Sequence, residues 1–235
     1  MDKLTSNITK SKLSCLFKAD TWIFDLDNTL YNGQTKVFSK VDKKMSTYIS
    51  KKLKISLTNA KKIQKKYFYE NGTTLSGLMK YNNIDPYEFL EFVHKIDISW
   101  LPKDKLLREE LKKIKEKKYI FTNGSHSHVK NITKQLGIFD LFDGAFAITD
   151  GDFIPKPSIE PYKKIIKKFN LDPKKSILIE DIAHNLQSAK DLGMKTIWLE
   201  NNEPFASKDK DKPYIDYKIK NLSSFLKKIN ILKAA

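Results

Sequence analysis

Trp22, Ile23 and Phe24 form a brief apolar run that stops abruptly at Asp25-Leu26-Asp27-Asn28-Thr29. A short, wholly apolar stretch of this kind predicts a strand buried on both faces, as in the middle of a parallel sheet. Beyond it the period changes. Val41, Met45, Tyr48, Ile49 and Leu53 recur at three- and four-residue spacing and predict a helix that Ser39 can cap. Thr58 starts a second helix, with Ile63, Tyr67 and Phe68 on one side and Asn71-Gly72 as its stop. Asp85-Pro86 pairs a cap with a first-turn proline and opens a third, through Phe89, Leu90 and Val93. No strand signal falls between residues 34 and 100, which reads as an all-helical insert.

Helix and strand then alternate. Residues 103–116, 126–136, 158–169, 185–192 and 222–229 read as helices; 118–121, 145–148, 177–179, 196–199 and 217–219 read as strands. Residues 201–213 read as a long surface loop. Such alternation implies βαβ units and a parallel sheet covered on both faces. The expected fold is therefore α/β: a doubly wound, Rossmann-like parallel sheet with a small all-helical cap inserted after its first strand. The core is expected over residues 20–33 and 101–235, the cap over 34–100 and a polar lead-in over 1–19.

Composition narrows the setting. With 235 residues, 40% hydrophobic and 31% charged, the chain can hold one good core plus a smaller unit. Cys15 is the single cysteine, which excludes an internal disulfide framework. No apolar run approaches the ~20 residues a membrane helix needs, and residues 13–17 are too short and polar for a signal-peptide core. A cytoplasmic protein with no membrane partner is expected. The net charge of +16 raises nucleic acid as a partner. However, the excess is lysine scattered through helix-like segments, and Arg108 is the only arginine, the residue suited to bidentate phosphate or guanine contacts. A solvated lysine surface is the expectation, with a field that attracts small anions.

The ends of three predicted strands carry polar clusters: Asp25-x-Asp27, Thr122-Asn123-Gly124 and Glu180-Asp181. In a parallel sheet these ends share one edge, where open α/β sheets bind ligands. The four carboxylates are hard oxygen donors of the kind Mg²⁺ prefers, and no His or Cys set suits zinc. The Thr122 hydroxyl and the amides after it resemble an anion cradle, and Lys156 adds a positive charge. Together these suit phosphoryl transfer, with Asp25 attacking phosphorus and Asp27 as acid and then base. Each piece has a plainer reading: a strand-to-helix turn, a loop lysine, a helix-entry acid pair. Their shared position on one edge is what unites them. His126 and His128 are expected to cap or solvate their helix. His94 is expected at a cap or hinge position, and Trp100 at the junction of insert and core.

Asp25-x-Asp27-x-Thr29, Thr122-Asn123-Gly124, Lys156-Pro157 and Glu180-Asp181 resemble, in order, the four motifs of the haloacid dehalogenase superfamily of phosphohydrolases. The helical insert looks like that superfamily's cap. The resemblance implies Asp25 as nucleophile and Asp27 as acid/base. It implies Thr122, Asn123 and Lys156 as the phosphate-binding residues. It also implies Mg²⁺ on Asp25, the Asp27 main-chain carbonyl and Asp181, with Glu180 nearby. Asn185 stands where some members carry a further aspartate. Asp27 favours phosphatase or phosphomutase chemistry, because dehalogenating members lack it. Asp27–Tyr31, Gly72–Met79, Phe92–Asp97 and Phe121–Ser125 look like the pyrimidine 5'-nucleotidase branch. That likeness implies hydrolysis of UMP- and CMP-like nucleotides, with Thr73, Thr74 and Leu75 bearing on selectivity. A phosphatase or phosphomutase for another small ester, a sugar phosphate or pyridine nucleotide, is the nearest alternative. Outside enzymes, the alternative is a basic nucleic-acid-associated or regulatory protein.

Overall fold

Phe24 lies opposite Ile120 on one side and Ile179 on the other, so three strands of a single sheet end level. The computed structural model describes residues 13–234. In chain order, β1 (Thr21–Phe24) leads into four helices: α1 (Val37–Leu53), α2 (Leu57–Asn71), α3 (Thr74–Asn82) and α4 (Pro86–His94). Then come α5 (Lys105–Lys113), β2 (Lys117–Phe121), α6 (His126–Leu136) and β3 (Gly144–Phe146). They are followed by α7 (Ile159–Phe169), β4 (Ser176–Glu180), α8 (Leu186–Asp191), β5 (Lys195–Leu199), β6 (Tyr217–Ile219) and α9 (Leu222–Ala234). The sheet runs β3-β2-β1-β4-β5-β6 with every neighbouring pair parallel.

Successive strand residues point to opposite faces, and the two faces bury different partners. Trp22, Phe24, Ile120, Ile177 and Ile179 pack with apolar residues of α5, α6 and α9. Ile23, Phe121 and Leu178 pack on the other face with Tyr162 and Ile165 of α7 and Leu186 and Ala189 of α8. The four helices α1 to α4 hold a third cluster built on Val41, Tyr48, Ile49, Leu78, Phe89 and Val93, to which the sheet unit contributes Ile148. Among the described residues, no helix is long and apolar enough to cross a membrane.

Several local expectations change. Helix α1 begins at Val37 rather than after Ser39, because Lys36 takes a left-handed conformation (φ 62°) that ends the preceding turn. Ser39 lies inside α1, its hydroxyl donating to the Lys36 carbonyl at 2.7 Å. Ser56, not Thr58, caps α2, its side chain accepting from the Asn59 N–H. Residues 74–82 form a helix of their own, α3, where Gly77 permits close packing on α2: a Cβ there would stand 2.4 Å from Tyr67. Ile148, read as strand, lies in a short 3₁₀ turn. Of the lead-in, residues 1–12 lie outside the described residues, but Leu13 and Leu16 are fully buried against the sheet. They belong to the core because their apolar side chains share one buried cluster with Trp22 and Phe24 of β1 and with apolar residues of α5 and α9. Trp100 is 42% exposed, with the Lys40 ammonium 5.1 Å from its ring centroid and its Nε1 donating to the Asp97 carbonyl at 3.2 Å. Arg108 forms a bidentate pair with Asp140 (2.5 and 2.7 Å) and donates to the Gly137 carbonyl. The lone arginine is thus committed to joining α5 to the end of α6.

Candidate active site

The level ends of β1, β2 and β4 bring the three polar clusters together. Asp25 follows β1 directly, and its N–H still donates to the Ile179 carbonyl at 2.9 Å, so its position is set by the sheet itself. Asn28, in a left-handed conformation (φ 60°), then turns the chain away. Glu180 is the last residue of β4, and Thr122 follows β2, donating its N–H to Phe146 at 3.0 Å.

Lys156 occupies the centre. Its Nζ donates to Asp25 Oδ1 at 2.8 Å, to Glu180 Oε2 at 2.5 Å and to the Phe121 carbonyl at 2.9 Å. All these side chains are buried. Burial works against the ammonium, but Asp25 and Glu180 outweigh it and hold Lys156 protonated, above its ordinary value. Asn123 secures the same lysine from behind: its Oδ1 accepts the Lys156 N–H at 2.9 Å and its amide donates to the Lys156 carbonyl at 3.4 Å. Expected on the phosphoryl group, Asn123 has its side chain engaged with a loop that must be fixed for the lysine to reach in.

The carboxylates exceed their counter-charge. Ligand oxygens of Asp25, Glu180 and Asp181 lie within 4.8 Å of one another, three buried carboxylates against one ammonium. Burial, then Glu180, pushes Asp25 up to about 7 despite Lys156. Burial, then Glu180 and Asp25, pushes Asp181 well above the usual carboxylate range. Mutual repulsion in a dry site does this unless a cation compensates. The donors are all hard oxygens, with no sulfur or imidazole among them, so the set fits Mg²⁺. Asn201 Nδ2 donates to Asp181 Oδ2 at 2.7 Å and orients that carboxylate.

Asp27 has different surroundings. Its Oδ1 accepts from Tyr31 OH at 2.5 Å and lies 2.8 Å from His128 Nε2. Burial works to raise this carboxyl, but His128 and Tyr31 outweigh it and hold Asp27 at about 2. Two neighbouring aspartates thus differ widely in proton affinity, the pattern expected of groups with different tasks. His128, expected to cap or solvate its helix, is 1% exposed on the carboxylate. The signal available in the sequence was its place in the first turn of a helix that starts immediately beyond the Thr-Asn-Gly cluster. His94 is also buried, stacked on His128 with centroids 4.4 Å apart, its Nδ1 2.8 Å from the Ser125 hydroxyl. Burial, then His128, pushes it down to about 3.

Thr122 accepts the Gly124 N–H at 2.9 Å, which bends the chain into a cradle. A Cβ at Gly124 would stand 3.2 Å from the Thr122 hydroxyl and 3.3 Å from His128, so the glycine keeps the floor open. Between this edge and the helical block lies a cavity of about 870 Å³, lined by Asp25, Asp27, Thr122 and Lys156 on one side and by Gln64, Phe68 and Tyr69 on the other. Thr73, Thr74 and Leu75 line it too, but their polar atoms are engaged within the block. Thr73 caps α3, Thr74 donates to the Gln64 carbonyl at 3.2 Å, and Leu75 is part of the block's core.

Comparison with known proteins follows the same lines. A yeast protein, phosphate metabolism protein 8 of Saccharomyces cerevisiae, is 31% identical over 191 residues, covering 74% of this chain and 59% of that protein. Glyceraldehyde 3-phosphate phosphatase of Pyrococcus furiosus is 29% identical over 138 residues, 57% of each chain. The chain therefore spans less than two thirds of these relatives. The enzyme of that name from Methanocaldococcus jannaschii is 26% identical over 90% of this chain and 97% of its own. Among solved structures, a haloacid dehalogenase-like hydrolase from Streptococcus pneumoniae superposes with a TM-score of 0.60 at 17% identity, covering 91% of this chain and 99% of its own. A magnesium-bound hydrolase of the same superfamily from Bacillus subtilis gives 0.55 at 17%, covering 92% and 99%; these two share the fold. The model of the haloacid dehalogenase-like hydrolase family matches residues 19–193, the stretch that holds the ends of β1, β2 and β4, and the chain belongs to that family.

Proposed function

We propose that the protein is a Mg²⁺-dependent phosphomonoesterase acting on nucleoside monophosphates of the UMP and CMP kind through an aspartyl-phosphate. The observation that carries this reading is the Asp25 carboxylate at the end of a central strand. It is bound to Lys156 through Oδ1 and opens onto a cavity beside the Thr122–Gly124 cradle. Asp25 attacks phosphorus while the ester oxygen departs with a proton from Asp27. Water then attacks phosphorus, gives its proton to Asp27 and releases phosphate. Held at about 2, Asp27 is ionised at neutral pH and so free to accept the proton in the base half of this role. For the acid half, the monoanionic ester, whose second pKa is about 6, brings the proton. The Thr122 hydroxyl hydrogen and the Asn123 N–H receive the phosphoryl oxygens, the Gly124 N–H being engaged by Thr122, and Lys156 holds the nucleophile in line. Asp25, Asp181 and the Asp27 main-chain carbonyl, with Glu180 beside them, would hold Mg²⁺, which supplies neutralising charge to nucleophile and phosphoryl group. The helical block acts as the cap that excludes water.

Support for a nucleotide comes from the space beyond the phosphoryl position. About 870 Å³ is far more than a triose phosphate needs and lies in the range of cofactor-sized sites. Phe68 and Phe205, their ring centroids 4.3 Å apart, add aromatic surface to its lining. A second reading, a triose or sugar phosphate, is favoured by the relatives that carry the name glyceraldehyde 3-phosphate phosphatase. Phosphate release from UMP, CMP, AMP, GMP, glyceraldehyde 3-phosphate and hexose phosphates decides between them. UMP and CMP are expected to lead by about tenfold in kcat/KM, the discrimination that roughly one contact supplies. Equal or faster turnover of glyceraldehyde 3-phosphate would discard the nucleotide but keep the chemistry. Silence on every ester would discard both.

The metal has its own signature. Asp25 keeps its proton to about 7 in the fold, against an ordinary 3.8. Between those values the folded protein binds protons the unfolded chain has released, so metal-free stability falls as pH rises through this window. Mg²⁺ competes with those protons. The rise in Tm on adding Mg²⁺ is therefore expected to be larger at pH 8 than at pH 5.5, as calorimetry can show. A larger rise at pH 5.5 would rule out binding at this cluster.

A further inference from the structure

Asp27 has two carboxylate oxygens and only one is free to work. Oδ1 is taken by Tyr31 and His128. Oδ2 is the oxygen nearer Gly124, 3.8 Å from where a Cβ would stand. The carboxylate only accepts, so His128 Nε2 carries the hydrogen. The other ring nitrogen, Nδ1, is buried without a partner. Leaving such an atom unsatisfied is destabilising, and an apolar side chain of the same size would avoid it. Packing alone therefore does not account for a histidine here. The ring is held firmly all the same. His94 stacks on it at an interplanar angle of 17°, His94 is bound to Ser125, and Ser125 accepts the His128 N–H at 3.3 Å.

We propose that His128 is the positioning residue of the acid/base. By fixing Oδ1 it turns Oδ2 alone toward the departing ester oxygen, which takes the proton as its bond to phosphorus breaks and the bond to Asp25 forms. This rests on the reading of Asp27 given above. Its consequence is selective. An alcohol leaves only with a proton, whereas p-nitrophenolate leaves without one, so loss of alignment harms alkyl esters most.

The test uses the full chain with Mg²⁺ and two esters of nearly equal shape, p-nitrophenyl phosphate and p-nitrobenzyl phosphate. The value of kcat/KM reports through departure of the leaving group. The ratio of the two values, taken on one preparation, does not depend on the fraction folded. His128→Leu is expected to lower the benzyl ester by about 10²-fold, the low end of general acid catalysis, and the nitrophenyl ester by far less. His128→Gln, which places an N–H near the same oxygen, is expected to bring the ratio back toward wild type. A parallel fall on both esters in both variants would overturn the proposal. Asp27→Ala separates the two levels. If it leaves the ratio unchanged, the acid role of Asp27 itself fails. If it shifts the ratio and His128→Leu does not, only the positioning role falls.

Discussion

Asp25→Asn is expected to lower phosphate release by roughly 10⁴-fold or more, since nothing else in the site replaces a lost nucleophile. The same change is expected to leave the metal-free protein at least as stable as wild type. An amide has the shape of the carboxylate without its charge, and Asp25 sits in a cluster where three carboxylates face one ammonium. With its proton held to about 7, Asp25 is already partly neutral at physiological pH. Lys156 keeps Glu180 as its partner. Loss of turnover with an unchanged or higher Tm, together with a smaller Mg²⁺-induced rise, is the combined result expected from phosphate assay and calorimetry. Turnover near wild type would remove Asp25 from the chemistry. A large fall in Tm would assign the loss to unfolding.

Lys156→Met is expected to act in the opposite sense on stability. Removing the ammonium leaves Asp25, Glu180 and Asp181 buried together, and stripping one partner from a buried ion pair costs about 3–5 kcal/mol. At about 2–4 °C per kcal/mol for a chain of this size, the metal-free Tm drops by roughly 6–20 °C. Mg²⁺ recovers more of that loss than it adds to wild type, because it has more charge to neutralise. The rate does not recover, since aligned positive charge on the nucleophile and phosphoryl group is missing; a fall of about 10²–10³-fold in kcat is expected. Because Lys156 is held above its ordinary 10.5 in the fold, its contribution is constant across neutral pH and fades only in strong alkali. A Tm within 2 °C of wild type (a difference of about 1 kcal/mol or less) would show that the ion cluster is not closed in solution.

The opposite stability effects of two substitutions on one hydrogen bond follow from charge alone. The cluster carries surplus negative charge, so losing a carboxylate relieves it and losing the lysine worsens it. The cluster holds together because β1, β2 and β4 end level, and the sheet sets the distances.

Much of this arrangement is local in origin and therefore legible along the chain. Trp22–Phe24, Ile120–Phe121 and Ile177–Ile179 are apolar because they are buried on both faces, and an apolar run followed by a polar cluster marks a strand's carboxyl end. Once the strands are parallel neighbours, their ends share an edge, so Asp25, Thr122 and Glu180 could be grouped before any coordinates. The switch from helical period to alternation likewise set residues 34–100 apart as an all-helical insert, and the four helices there run from Val37 to His94. What a side chain does with its second or third polar atom is not local. Asn123 serves Lys156, 33 residues on, and Thr74 serves Gln64 rather than the cavity. Leu13 and Leu16 belong to the core because they are buried in one cluster with strand residues and with helices drawn from distant parts of the chain. His128 reaches Asp27 across 101 residues, and His94 reaches His128 from the helical block. Periodicity reports which face of an element is buried, because burial repeats with the element. It carries no trace of which distant atom completes a hydrogen bond, since that is decided only when independently formed elements pack together.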